Sequence, residues 1–157
     1  MLVLFHGSNH LFDRPDLGAG RDHRDFGRGF YTTTLRSQAE DWAKSVTARF
    51  GGEPYVYALE FERAPNLRVK EFTEICVEWL DMVKANRMQG GVQHDFDVVI
   101  GPVANDNTMR TISLYVAGVY DAEEAMRRLR YFTANNQVSL HTERAMALLR
   151  LKERTRV

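Results

Sequence analysis

The chain opens on an unbroken apolar run, Leu2-Val3-Leu4-Phe5, which predicts a short buried strand. The polar stretch behind it is punctuated by Pro15, Gly18, Gly20, Gly27 and Gly29 and predicts a long loop. Loops beyond about 15 residues are uncommon in compact domains unless they serve a function. Phe30-Tyr31-Thr32-Thr33-Thr34 is rich in β-formers and predicts a second strand. Ala39, Trp42, Ala43, Val46 and Phe50 recur at helical spacing, with Thr34 or Ser37 as the cap and Gly51-Gly52 as the stop. After Pro54, residues Tyr55, Tyr57, Leu59 and Phe61 alternate as on one face of a half-buried strand.

Residues 73–85 carry Ile75, Val77, Trp79, Leu80, Met82 and Val83 and predict a helix, followed by a strand in "FDVVIGP". Helices are expected over 107–118 and 122–131, the second with Glu123 and Glu124 where they suit the helix dipole. The patch "ANDNT" between strand and helix reads as a turn and cap. "QVSLH" predicts a short strand, and Thr142 with Glu143 opens a last helix through Leu149. The basic tail "RLKERTRV" reads as its solvated terminus. Strands and helices mix without regular alternation, and no Gly-rich phosphate loop follows a strand, so the expected fold class is compact α+β.

Composition narrows the function classes. At 157 residues, 44% apolar and 11% aromatic, residues 1–157 suffice for a single domain with one core. Lys and Arg number 21 and balance 21 Asp and Glu, so no global field favours non-specific nucleic-acid binding, and protein is the preferred macromolecular target. The lone Cys76 excludes an intramolecular disulfide and a zinc site built on several thiolates, and it reads as a buried small hydrophobe. His6 and His10 have zinc-like spacing but no evident third ligand, so no metal is expected. The N-terminal apolar run is too short for a signal peptide and no stretch is long enough to span a bilayer, so a cytoplasmic protein without membrane contact is expected.

The chemistry concentrates in "HGSN" at 6–9 and "DFGRGFYTTT" at 25–34. His6-Gly7 at a strand end is by itself compatible with a turn. Gly27 and Gly29 around Arg28 permit close ligand approach, and they deliver Phe30 and Tyr31 on a strand. An aromatic ring among small residues can stack on a planar heterocycle while a histidine donates to a ribose hydroxyl. A nicotinamide riboside has those needs. Arg21 or Arg28 could meet a pyrophosphate, and Asp25 could instead hold one of them in place.

"HGS" followed by "FGRGFYTT" resembles ADP-ribosyltransferases of the diphtheria-toxin and poly-ADP-ribose-polymerase type, and most of the chain resembles the bacterial family DUF3990. The wider resemblance implies a split β-sheet core with surrounding helices and NAD as co-substrate. It implies that His6 contacts the adenine-side ribose, that the Gly7 backbone holds the carboxamide and that Tyr31 stacks on nicotinamide. Trp42 falls where polymerase-like members place a second stacking aromatic, although it also fits the core stripe of its helix. A serine expected before it is replaced by Ala39, for which Ser8 or Ser37 could substitute.

The third signature position, usually glutamate, is Gln137, with Glu143 as the alternative carboxylate. Glutamine accepts and orients but cannot act as a general base. The expected activity is therefore transfer of a single ADP-ribose, with His6, Tyr31 and Gln137 as catalytic residues. The narrower resemblance implies a toxin restrained by a small antitoxin protein. A catalytically weak NAD- or ADP-ribose-binding or partner-docking module is the alternative.

Overall fold

The computed structural model describes residues 1–103, 106–129 and 135–157. Ala104 and Asn105 of the "ANDNT" patch, and the end of the helix expected to reach 131, lie outside the described residues. The elements run β1 (Leu2–Ser8), β2 (Phe30–Thr32), α1 (Arg36–Phe50), β3 (Tyr55–Phe61), β4 (Val69–Glu71), α2 (Val77–Gln89), β5 (Val98–Val103), α3 (Asp106–Val116), α4 (Ala122–Leu129), β6 (Asn135–Leu140), α5 (Glu143–Met146) and β7 (Leu149–Arg156), with a single 3-10 turn at Leu17–Ala19. The class is mixed α+β. None of the described helices is long and apolar enough to cross a membrane.

Among the described residues the strands form two sheets, β1-β3-β7 and β2-β6-β5-β4, in which β4 and β5 pair in parallel and the other pairs are antiparallel. Leu4, Leu59, Phe61, Phe30, Val98, Val138 and Leu140 join their inner faces in one core. The opposite face of the second sheet packs Val99 against Trp79, Leu80 and Val83 of α2 and Ile112 of α3. Trp79 is fully buried and still satisfies its indole N–H, which donates to the Pro102 carbonyl at 3.1 Å.

Several elements depart from the sequence expectation. β3 is buried on both faces, because it is the central strand and α1 covers Val56 on the side expected to be open. The tail is a strand: Leu149 and Leu151 face Phe61 and Leu59, while Arg150 and Lys152 turn out to Glu60 at 2.7 and 3.3 Å. Its charges protect an otherwise open sheet edge. The last helix is correspondingly cut to α5, with the Thr142 hydroxyl accepting from the Ala145 amide. α2 starts at Val77 and ends at Gly90, whose φ of 72° suits glycine. α1 opens without a side-chain cap, since Thr34 is engaged by the Asn136 side chain at 2.9 Å.

Gly7 sets the distance between β1 and α1. A Cβ built there would stand 2.2 Å from the Ala39 carbonyl oxygen and 2.9 Å from the Ala43 amide nitrogen, so only a hydrogen fits under the helix. Ala39 and Ala43 are the small residues that allow this approach, which explains why Ala39 is not a longer polar residue. Gly7→Ala is expected to destabilise the fold by about 2 kcal/mol through overpacking, measured by denaturant unfolding. An unchanged midpoint would show that α1 can shift at no cost.

Candidate functional site

The two sheets touch edge to edge through β1 and the end of β2. Phe5 N–H donates to the Thr33 carbonyl at 2.7 Å and Thr33 N–H returns the bond at 2.9 Å. Continued in the same register, the next antiparallel rung would join Gly7 to Tyr31. It does not form. His6 Nδ1 reaches the Tyr31 carbonyl instead, at 2.6 Å. Backbone groups two residues apart along a strand point the same way, so Gly7 directs its N–H and C=O into the opening between the parted strands.

A carbonyl can only accept, so the His6 bond places the proton on Nδ1. Burial against Phe30, 4.3 Å away in a stacked arrangement, and near Phe12 lowers the His6 pKa to about 4. The Tyr31 bond opposes that shift and the nearby Arg24 charge adds to it. The ring is therefore neutral at pH 7 and its Nε2 is an acceptor. The expectation that His6 donates to a hydroxyl therefore changes on this tautomer: the nitrogen left over, Nε2, can only accept.

Tyr31 is pinned through its own hydroxyl, which donates to the Gly27 carbonyl at 2.6 Å and accepts from the Phe26 amide at 3.0 Å. Burial raises its pKa, so it remains a phenol. Over its ring, 4.2 Å from the centroid, lies the guanidinium of Arg24, which also stands 5.6 Å from the centroid of the Trp42 ring. Trp42 does not belong to the core. It is 41% exposed, on the side of α1 next to the Gly7 contact. Arg24 is largely desolvated there, which lowers its pKa.

Gln137 lies on the same sheet face as Tyr31, since Tyr31 pairs with Ser139 two residues along β6. Its Nε2 faces Asp25 Oδ2 at 3.4 Å and the Pro102 carbonyl at 3.3 Å. Asp25 is in turn gripped through Oδ1 by Arg87 of α2, at 2.8 Å from Nε and 2.5 Å from Nη2. His6, Gly7, Tyr31, Trp42 and Gln137 thus line one region with Arg24 and Asp25.

The remaining sequence candidates have other engagements. Arg21 lies over the Phe50 ring at 4.9 Å, and Arg28 donates to the Gly18 and Gly20 carbonyls at 3.0 and 3.2 Å. Ser8 accepts from the His10 amide in the turn after β1. A Cβ on Gly29 would meet the Leu140 carbonyl oxygen at 2.6 Å, so this glycine lets β6 come close, and Phe30 packs behind His6. Ser37 is in the first turn of α1 and Glu143 is exposed in the first turn of α5. Cys76 is half-buried just ahead of α2. Asp25 holds Arg87 rather than Arg21 or Arg28. Arg24 and Arg87 were not singled out in the sequence, because an arginine in an aperiodic loop and one in the last turn of a helix carry no local sign of a shared site.

The family described as "Protein of unknown function (DUF3990)" matches residues 2–151. The chain belongs to this family. No curated protein and no solved structure matches it.

In this DUF3990 chain two imidazoles help to hold the loop from Asn9 to Gly29, that of His141 buried and that of His94 half-buried. His141 Nδ1 donates to the Arg28 carbonyl at 2.9 Å, and its Nε2 meets the Ser139 hydroxyl at 2.8 Å. His94 Nε2 donates to the Phe26 carbonyl at 2.7 Å. Burial lowers the pKa of His141 to about 4 and that of His94 in the same direction. The unfolded chain, with histidine near 6.5, takes up protons first as pH falls. The stability of the neutral His6 and His141 is therefore complete above pH 6.5 and is lost towards pH 4, and the lowered His94 adds a loss of the same sign as pH falls. The melting temperature is expected to drop steadily across that window in circular dichroism. A flat profile would contradict the neutral assignment.

Proposed function

We propose that this chain is an NAD-dependent mono-ADP-ribosyltransferase acting on a protein acceptor, its two sheets forming the split core of that enzyme type. The observation that carries the reading is the planar cation on the Tyr31 and Trp42 rings beside the unpaired Gly7 edge. The nicotinamide ring of NAD is likewise a planar cation, and its carboxamide presents one donor and one acceptor to match the N–H and C=O of Gly7. Arg24 stands on these rings, and nicotinamide would take its place there. Of the loop arginines it is the one at the cleft, so this reading gives it, rather than Arg21 or Arg28, the pyrophosphate.

In the reaction the bond from ribose C1′ to the nicotinamide nitrogen breaks with its electron pair, and nicotinamide leaves neutral. The acceptor's nucleophilic atom then bonds to C1′ and gives its proton to water. The chain's part is orientation and electrostatics. Tyr31 and Trp42 hold the departing ring, His6 Nε2 accepts from a hydroxyl of the adenine-side ribose, and the Gln137 oxygen accepts from a hydroxyl of the reacting ribose. Lacking a base at position 137, the site suits single transfers rather than chain growth. A toxin held in check by a small antitoxin protein in the cytoplasm is consistent with this activity. Gln137 also favours a second reading, in which the site binds NAD or ADP-ribose with little turnover.

The test is nicotinamide release from NAD, with NAD-induced thermal stabilisation measured alongside. Tyr31→Ala and Trp42→Ala are each expected to weaken NAD binding about tenfold through loss of stacking, and Gln137→Ala to abolish release. Stabilisation without release would favour the binding module. Neither signal in the wild-type protein would refute both readings.

A further inference from the structure

The amide of Gln137 has only one sensible orientation. Both groups against which it packs, Asp25 Oδ2 and the Pro102 carbonyl, can only accept, so the nitrogen must face them. The reversed amide would set its oxygen against two other oxygens. Among the described residues no donor reaches the Gln137 oxygen, and no buried polar side-chain atom is left without a partner. That oxygen consequently faces the accessible side of the residue, away from Asp25. The carboxylate that fixes it does not come from β6. It comes from the loop before β2, with its charge balanced by Arg87.

We infer that Asp25 is a positioning residue, clamped by Arg87, that locks Gln137 as an outward-facing acceptor, so that glutamine is the required residue at this place and not a defective glutamate. The role in orienting a ribose hydroxyl rests on the NAD reading above; the lock between the side chains does not. Glutamine has the hydrogens to offer the Asp25 carboxylate and glutamate does not. A carboxylate at 137 would stand against that of Asp25, whose far oxygen is already held by Arg87. Replacing Gln137 by glutamate would thus break the lock.

The discriminating set is Gln137→Glu, Asp25→Asn and the double variant Asp25→Asn/Gln137→Glu. Gln137→Glu is expected to lower the melting temperature and to cut nicotinamide release about 10- to 100-fold, the cost of losing one charge-assisted contact. In the double variant the amide and the carboxylate exchange places, so the hydrogen bond between them re-forms, and both losses are expected to be partly recovered, the Pro102 carbonyl remaining without its donor. Asp25→Asn alone should reduce kcat more than it raises KM for NAD, because it loosens the acceptor without touching the rings. A Gln137→Glu protein as stable as the wild type and more active would overturn the inference. So would a destabilised Gln137→Glu protein that Asp25→Asn fails to rescue. The melting comparison needs no NAD, so it judges the lock in a protein that releases no nicotinamide, a result that would count against the transferase reading alone.

Discussion

The imidazole of His6 takes the Tyr31 carbonyl that a continuing ladder would pair with the Gly7 amide, and with that exchange β1 and β2 part. Hydrogen bonds between Phe5 and Thr33 hold the strands together one step earlier, so the opening has a fixed hinge on one side. Side-chain bonds from Asn136 to the amide and hydroxyl of Thr34 close the other end of that junction. A peptide edge of this kind in a buried sheet would be costly to leave unpaired. In the transferase reading, this edge is where the donor and acceptor of a carboxamide would pair. The same imidazole that parts the strands is kept neutral by its burial, so the wedge and the acceptor are a single group.

The loop from Asn9 to Gly29 is the second constraint, because it brings Arg24 and Asp25 to the strands without belonging to them. Several of its backbone carbonyls are met by side chains rather than by other strands: Phe26 and Arg28 by imidazoles, Gly18 and Gly20 by the Arg28 guanidinium and Gly27 by the Tyr31 hydroxyl. Its turns are tied to the end of α2, where Asp22 accepts from the Gly91 amide and Arg28 N–H donates to the Gly91 carbonyl. Phe26 is fully buried beneath it. The long loop is thus ordered by specific contacts, and the two residues between its anchors at His23 and Phe26 are the ones presented to the site.

How much of this was legible in the sequence follows from the range of the interactions. Periodicity and turn residues located β1, β2, α1, β3 and β5; the resemblance singled out His6, Tyr31 and Trp42, of which His6 bonds the Tyr31 carbonyl while Tyr31 and Trp42 share the Arg24 guanidinium. The tail was misread, because Arg150, Lys152, Arg154 and Arg156 mask the alternation of Leu149 and Leu151, and only pairing with β3 makes those leucines an inward face. β4 is three residues with a Lys and a Glu, and is a strand solely because β5 lies beside it. The triplet of Asp25, Arg87 and Gln137 joins a loop, a helix end and a strand, separations of 62 and 112 residues that no local pattern encodes.

Trp42 shows how one tight contact can decide between core and surface. On helical periodicity alone it belongs to the same stripe as Ala39, Ala43 and Val46. The close approach demanded by Gly7 lets only the alanines sit over β1, and an indole on that line would force the helix away. The ring is therefore displaced to the rim of the contact, where its face is free to receive a cation from the loop. The missing side chain at position 7 thus acts twice, once by drawing α1 onto the strand and once by leaving the tryptophan at the edge of the opening that His6 creates.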